Sequence, residues 1–415
     1  MSHTFDAISS AEFEAAKSII VTLKDHGYEA LLAGGCVRDR LLGKTPKDYD
    51  VATSATPDEV CKVFKRTKKV GAQFGVVLVS HRRHEIEVAT FRSDGEYQDG
   101  RRPDTVTFTD AEHDAQRRDF TINGMFYDPV EDKLVDYVGG QADLSAELIR
   151  CIGDPSKRFA EDHLRLLRAA RFAATLNFGI EPETFNAMLK YAKQVASVSP
   201  ERIRAELALM LVSEGRCIAW KALCETGLCN HIIQGVQWTI DDQNNARNIL
   251  GRLPARVSFP LGLAAVFCPL AAERSLDTRK ACRAIRCSNE EMESVCLLLK
   301  WVCRVVDDVE LELADIKNML ASGHFDEIIS LATAFTADEY GLRIQALRER
   351  GDKIPVQDHA PPPLLDGAFL LEQHIPQGPI YRKVLDAVYR AQLNELVTTV
   401  DDARAMAQKL IEESD

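Results

Sequence analysis

The hydrophobic pattern of this chain changes period near residue 150, and that change restricts the folds open to it. Before it, short apolar runs ("EALLA" from Glu29, "VVLVS" from Val76, "EIEVATF" from Glu85, "TVTF" from Thr105) alternate with helix-like segments. From residue 155 to 355 almost every segment repeats its apolar residues at helical spacing. The sequence therefore predicts an α/β head on a helical body. The three prolines of "HAPPPLLDG" (359–367) break that body, and a final pair of helical patterns follows. At 415 residues with 46% hydrophobic content, the chain can build two or more cored modules.

The N-terminal stretch has no basic start followed by an apolar run, and "PLGLAAVFCPLAA" (260–272) is too short to span a bilayer. The expectation is a cytoplasmic protein with no membrane partner. Eleven cysteines occur without a CxxC pair. The cluster Cys217, Cys224, Cys229 and His231 fits no metal-ligand spacing, so reduced thiols are expected. A formal charge of −12 argues against indiscriminate nucleic-acid binding but leaves room for a local basic groove. Candidates are residues 62–70, 100–104 and 274–287, where Arg279, Arg283 and Arg286 recur at helical spacing.

Chemistry first gathers in "LLAGGCVRDRLLGKTPKDYDVAT" (31–53). A buried strand, a turn at Gly34 and Gly35, two helical turns and a terminating Gly43 would expose amides at a helix start. Such an end suits a phosphate, and Arg38 one turn in adds a cation. In "KDYDVAT" the period of two puts Asp48 and Asp50 on one strand face, Cα atoms about 6.6 Å apart, with Tyr49 and Val51 on the other. Two carboxylates so placed suit Mg²⁺ shared with substrate phosphates, the usual clamp for displacement at phosphorus. Glu87, alternating with Ile86 and Val88 on another strand, is the expected third carboxylate.

With "RRDFTIN" (117–123) the chain resembles the bacterial tRNA nucleotidyltransferases of class II, the CCA-adding enzymes, and their relatives the bacterial poly(A) polymerases. The resemblance rests on "GGCVRD", "DYD", "RRDFTIN", "GDPSKRFAEDHLRLLRAARF" and "SPERIRAEL" in that order over the first half of the chain. It implies an α+β fold: a nucleotidyltransferase (polymerase beta-like) mixed-sheet head over 1–150, then all-α neck (151–212), body (213–357) and tail (358–415). It further implies Asp48 and Asp50 as metal ligands, Arg118 on phosphate or sugar, and Asp119 with Asn123 on the ribose. Gly124 departs from the alanine that relatives usually carry.

The helix expected over 160–172 sets Asp162 and Arg165 three residues apart, an acceptor beside a donor fork. Cytosine and adenine both present an amino donor beside a bare ring nitrogen, so one such pair satisfies both; guanine and uracil present the reverse. The resemblance implies this base-reading role, with Glu161 holding Arg165. Arg168 and Arg171 extend a basic stripe suited to triphosphate or the RNA 3′ end. "SPERIRAEL" reads as a helix start with Ser199 as N-cap and Pro200 at the first position.

The expected activity is template-free transfer of C and A from CTP and ATP to the tRNA 3′ end. Two Mg²⁺ ions would be held by Asp48, Asp50 and Glu87, and pyrophosphate released. The segment 92–104 resembles the loop that full CCA-adding enzymes use when switching from C to A. The alternatives are a CC-adding or A-adding relative, a poly(A) polymerase, and a catalytically silent RNA-binding protein. Body and tail are expected to grip the tRNA acceptor arm by shape, and the oligomeric state is not legible.

Overall fold

The computed structural model describes residues 10–71, 74–95, 105–273, 275–307, 311–337, 340–372 and 378–413. Contacts divide the chain into two compact units, Met1–Gln237 and Trp238–Asp415. The mixed-sheet head and mostly helical remainder expected from the sequence are both present.

The first unit opens with α1 (Ala11–Asp25), β1 (Ala30–Ala33), α2 (Gly35–Leu41), β2 (Asp50–Thr53), α3 (Pro57–Val63), β3 (Thr67–Gly71), β4 (Val76–His81) and β5 (His84–Thr90). There follow β6 (Arg92–Asp94), β7 (Val106–Phe108), α4 (Ala111–Gln116), β8 (Phe126–Asp128), β9 (Lys133–Val135) and α5 (Gly140–Ser145). Seven strands form one sheet in the order β3-β4-β5-β2-β1-β8-β9, and β6 pairs with β7 as a separate ribbon. All neighbours in the sheet are antiparallel except β2 and β5. The all-apolar "ALLA" of β1 is buried on both faces, as a central strand requires.

Register brings the motifs together. Ala33, the last residue of β1, pairs with Asp50 on one side and with Phe126 on the other. The turn at Gly34 therefore emerges between "DYD" and the end of "RRDFTIN", and the Gly34 amide donates to the Met125 carbonyl at 3.2 Å. On the far side of β2, Val51 pairs with Val88, so Asp50 and Glu87 occupy the preceding positions of neighbouring parallel strands.

The helical part of this unit comprises α6 (Pro155–Glu161), α7 (Leu164–Leu176), α8 (Pro182–Tyr191), α9 (Pro200–Leu211), α10 (Arg216–Glu225) and α11 (Cys229–Ile232). Leu166, Leu167, Ala170 and Ala173 give α7 an apolar stripe buried against α9 and α10. Phe172, also on α7, meets Phe120 of the head edge-on at 5.7 Å between ring centres. Ser199 and Pro200 stand at the N-cap and first position of α9 as expected, but the Ser199 hydroxyl makes no capping bond.

Among the described residues of the second unit every regular element is a helix. The apolar "PLGLAAVFCPLAA" lies in helix Phe259–Ala272, buried along almost its whole length by helices Ile240–Arg252, Asn289–Val306 and Phe325–Thr336. Among the described residues no helix is long and apolar enough to cross a membrane. The expected basic stripe is shorter than its sequence: helix Thr278–Ala284 ends before Arg286, whose φ of 57° lies in the left-handed region, and Arg279 is paired with Glu293 at 2.6 Å. The last helix pair, Pro379–Leu393 and Val400–Glu412, joins this unit through a buried carboxylate. Asp315 accepts from Arg304 at 3.0 and 2.8 Å and from Arg390 at 3.0 and 3.3 Å. Removing that carboxylate leaves two facing guanidiniums, so Asp315→Ala should cost about 2–3 kcal/mol, less than a fully buried pair because both arginines reach solvent. Thermal unfolding would register it as a lowered Tm, and an unchanged Tm would deny Asp315 its role in holding the last helices.

Candidate active site

A cleft of ≈ 580 Å³ opens at the end of the sheet where β1, β2 and β8 converge. Its described lining includes Gly34, Gly35, Arg38, Asp48, Asp50, Arg117, Arg118, Asp119, Asn123, Asp162, Arg165, Arg168, Arg171 and Phe172. Six arginines against four aspartates make it locally basic in a chain of formal charge −12, which suits a polyanion such as a triphosphate.

Gly34 has φ +74°, a backbone that calls for glycine, and a Cβ built there would lie 3.0 Å from Arg118 Nη1. Gly43 closes α2 as expected, with φ +68° and its amide donating to the Arg40 carbonyl at 2.9 Å. Gly124, the departure from relatives, is crowded: a Cβ would come within 2.7 Å of Val138 Cγ2 and 3.0 Å of Ile152 Cδ1.

Asp48 and Asp50 face the cleft while Tyr49 and Val51 are buried, the alternation expected from the sequence. The strand itself begins only at Asp50, so Asp48 belongs to the approach loop. The Asp50 carboxyl is pushed up to about 6, first by the protein crowded around it, then by the negative charges of Asp48 and Glu87, with Arg118 acting against them. The negative charges of Asp48 and Glu87 acting on Asp50 are what a cation would relieve. Among the described residues no three carboxylate, histidine or cysteine groups close into a ligand set by themselves. The donor chemistry thus fits Mg²⁺ held by the two aspartates and completed by substrate phosphates, the common arrangement for that ion.

The arginines are held by carboxylates. Arg38 donates to Asp39 at 2.8 and 2.7 Å and to the Asn123 side-chain carbonyl at 2.7 Å. The Asn123 amide donates to Asp119 at 3.1 Å, and Asp119 accepts from Arg168 at 2.8 and 2.7 Å. Burial alone would raise the Asp119 carboxyl, but the Arg168 charge and the bonds from Asn123, Arg168 and the Phe120 amide outweigh it and hold the group at about 2. Phe172 lies beneath the Arg38, Arg168 and Arg171 guanidiniums at 5.1, 5.2 and 4.0 Å from its ring centre. Arg171 donates to Glu206 of α9 at 2.5 Å.

One expectation is corrected. The helix predicted over 160–172 is broken: α6 ends at Glu161, Asp162 is extended (φ −144°, ψ 105°), and α7 starts at Leu164. The Asp162 carboxylate, one residue before the His163 N-cap, accepts from the Leu164 amide at 3.0 Å, a competing bond of the kind that makes aspartate a poor helix-interior residue. Asp162 and Arg165 are therefore not side-chain neighbours on one helix face, although both line the cleft. Glu161 does hold Arg165, which also donates to the carbonyls of Arg158 and Arg117, each at 3.0 Å.

The sequence reading passed over three groups. Asp114 on α4, almost fully buried, takes Arg117 at 2.7 Å and Arg118 at 2.9 Å; its spacing of three and four residues was the available signal. Glu206 and Arg202, both on α9 within "SPERIRAEL", reach α7 and Asp162 across the fold, partnerships that no local spacing marks. Residues 96–104 of the segment likened to a C-to-A switching loop lie outside the described residues; its described start forms β6, which pairs with β7 beyond the segment's end.

A carboxylate pair at the end of a mixed sheet, facing an arginine-lined cleft, is the site of a nucleotidyltransferase. The poly A polymerase head domain family matches residues 30–150, and the family described as the probable RNA and SrmB-binding site of polymerase A matches 177–238. The CCA-adding enzyme of Geobacillus stearothermophilus is 33% identical over 392 residues, covering 92% of this chain and 93% of the relative. That of Geobacillus sp. strain WCH70 is 45% identical over 217 residues, 52% of this chain and 54% of the relative. The Bacillus stearothermophilus CCA-adding enzyme, solved in complex with CTP, superposes with a TM-score of 0.76 at 30% identity over 98% of both chains. The chain belongs to the CCA-adding enzyme family.

The Asp119 clamp makes a pH prediction. Its carboxyl sits at about 2 against an ordinary 3.8, so the bound charge stabilises the fold fully above about pH 4 and is lost as pH falls toward 2. Asp119→Asn should lack that increment, on the order of 2 kcal/mol. Denaturant unfolding at several pH values should show the gap between wild type and variant constant above pH 4 and shrinking below it; a gap independent of pH would refute the clamp.

Proposed function

We propose that this protein adds C and A residues to the 3′ end of tRNA, using CTP and ATP as substrates and its own side chains in place of a nucleic-acid template. The observation that carries the reading is one cleft in which the Asp48 and Asp50 carboxylates, the arginine lining and the Asp162 and Arg165 side chains occur together.

In this reading Arg38, Arg118 and Arg168 receive the triphosphate, and their fixed guanidiniums replace the water that the phosphates leave behind. Asp119 and Asn123 stand on the ribose side, where the Asn123 amide has a second N–H to give. Asp48 and Asp50 hold Mg²⁺, which when bound supplies Lewis-acid stabilisation of charge growing on the phosphoryl oxygens. Glu87 is the candidate third carboxylate, acting on Asp50 through its charge. The RNA 3′-hydroxyl displaces pyrophosphate from the α-phosphorus. Asp162 accepts the amino N–H of cytosine or adenine, and Arg165, held by Glu161, faces the ring nitrogen. Residues 1–150 act as the catalytic head and 151–212 as the neck with the base-reading groups; 213–357 and 358–415 serve as body and tail for the acceptor arm.

Asp48→Ala should lower nucleotide incorporation by at least about a thousandfold, the scale of losing a main electrostatic contributor to the transition state. Its affinity for tRNA should stay within about threefold, since no phosphate contact is removed. Incorporation by filter assay and tRNA affinity by titration would read the two effects. Substantial activity in the variant would remove the metal assignment.

A further inference from the structure

Asp162 is placed by a residue from another helix. Arg202, at the third position of α9, donates through Nη1 and Nη2 to the two Asp162 oxygens at 3.2 and 2.7 Å, a bidentate grip across 40 residues of sequence. The Leu164 amide takes the first of these oxygens as well, at 3.0 Å. Oδ1 thus accepts two N–H groups and Oδ2 one.

We infer that Arg202 is the positioning residue that sets which nucleobases the cleft accepts, by locking the Asp162 carboxylate in the one orientation that receives an amino group. This rests on the nucleotidyltransferase reading of the site. A carboxylate on a short side chain turns easily about its last bond, because that torsion has a broad, twofold profile. Asp162 also sits on extended backbone between two helices, outside the ladder that would otherwise restrain it. The Arg202 fork and the Leu164 amide remove this freedom together and leave Oδ2 as the oxygen with room for one more donor.

Selectivity follows from that fixed acceptor. The amino groups of cytosine and adenine supply a donor to it. The carbonyls of uracil and guanine would meet it oxygen to oxygen, leaving polar groups unpaired in a confined site. A carboxylate free to turn could instead accept the imino N–H of uracil or guanine, and rejection would weaken. Glu161 takes Arg165 and Arg158, so this device is separate from the one holding the donor.

The test is the ratio of kcat/KM for CTP to that for UTP, and for ATP to GTP, on tRNA substrates of matching length, in wild type, Arg202→Ala and Arg202→Lys. The expected result is a ratio at least about tenfold smaller in Arg202→Ala, with Arg202→Lys between, since a lysine offers one point contact in place of the fork. A residue serving only the packing of α9 would lower all four nucleotides by one factor, and an unchanged ratio overturns the inference. Should Arg202→Ala fail to fold, Arg202→Lys decides alone, an unaltered ratio again overturning it. Absence of incorporation of any nucleotide by wild type would instead sink the function on which the inference stands.

Discussion

The pairing of Ala33 with Asp50 is the contact on which the site depends. It fixes the register of two central strands, and a slip of one residue would turn Asp50 inward and Tyr49 out. The same Ala33 pairs with Phe126 on its other side, so one residue aligns the glycine turn, the aspartate pair and the "RRDFTIN" segment at a single sheet end. Burial of β1 on both faces secures the arrangement. The catalytic geometry is thus underwritten by the most apolar part of the head.

Around that point the cleft is built from guanidiniums, each with a carboxylate behind it. Arg38 has Asp39, Arg117 and Arg118 share Asp114, Arg165 has Glu161, Arg168 has Asp119, Arg171 has Glu206. Unpaired, so many like charges in one cleft would repel one another. Paired, they are held in fixed orientations along the cleft, and in the proposed reading this is the preorganisation that electrostatic catalysis requires. This also reconciles a strongly acidic chain with a polyanionic substrate: the basic field is local, and the acidic partners keep it so.

Much of this could be read from the sequence where chemistry and spacing coincide. The two-residue alternation of Asp48, Tyr49, Asp50 and Val51 predicted which side chains face the cleft, and the change of period near residue 150 predicted where the sheet gives way to helices. Glu161 and Arg165, four residues apart, were legible for the same reason. What escaped was tertiary. Asp162 reads as one more helical position, yet the helix is broken there and its carboxylate takes the Leu164 amide and the Arg202 guanidinium. Arg202 itself lies in "SPERIRAEL", a segment that marks a helix start and the family resemblance but nothing of its grip on Asp162. The second unit gave least, because most of its polar residues follow the solvent face of each helix and carry no spacing that distinguishes an RNA contact from a solvated surface.

The most direct measurement of the account gives the purified protein and Mg²⁺ three tRNA transcripts, ending at the discriminator base, after CC and after CCA, with CTP and ATP supplied separately and together. The account predicts that the shortest transcript gains two C residues with CTP alone and a full CCA with both nucleotides, that the CC-ending transcript gains one A, and that the completed one is left unchanged. Extension by C residues only, or of the CC-ending transcript only, would contradict full CCA addition. So would an unbounded A tail or no incorporation at all.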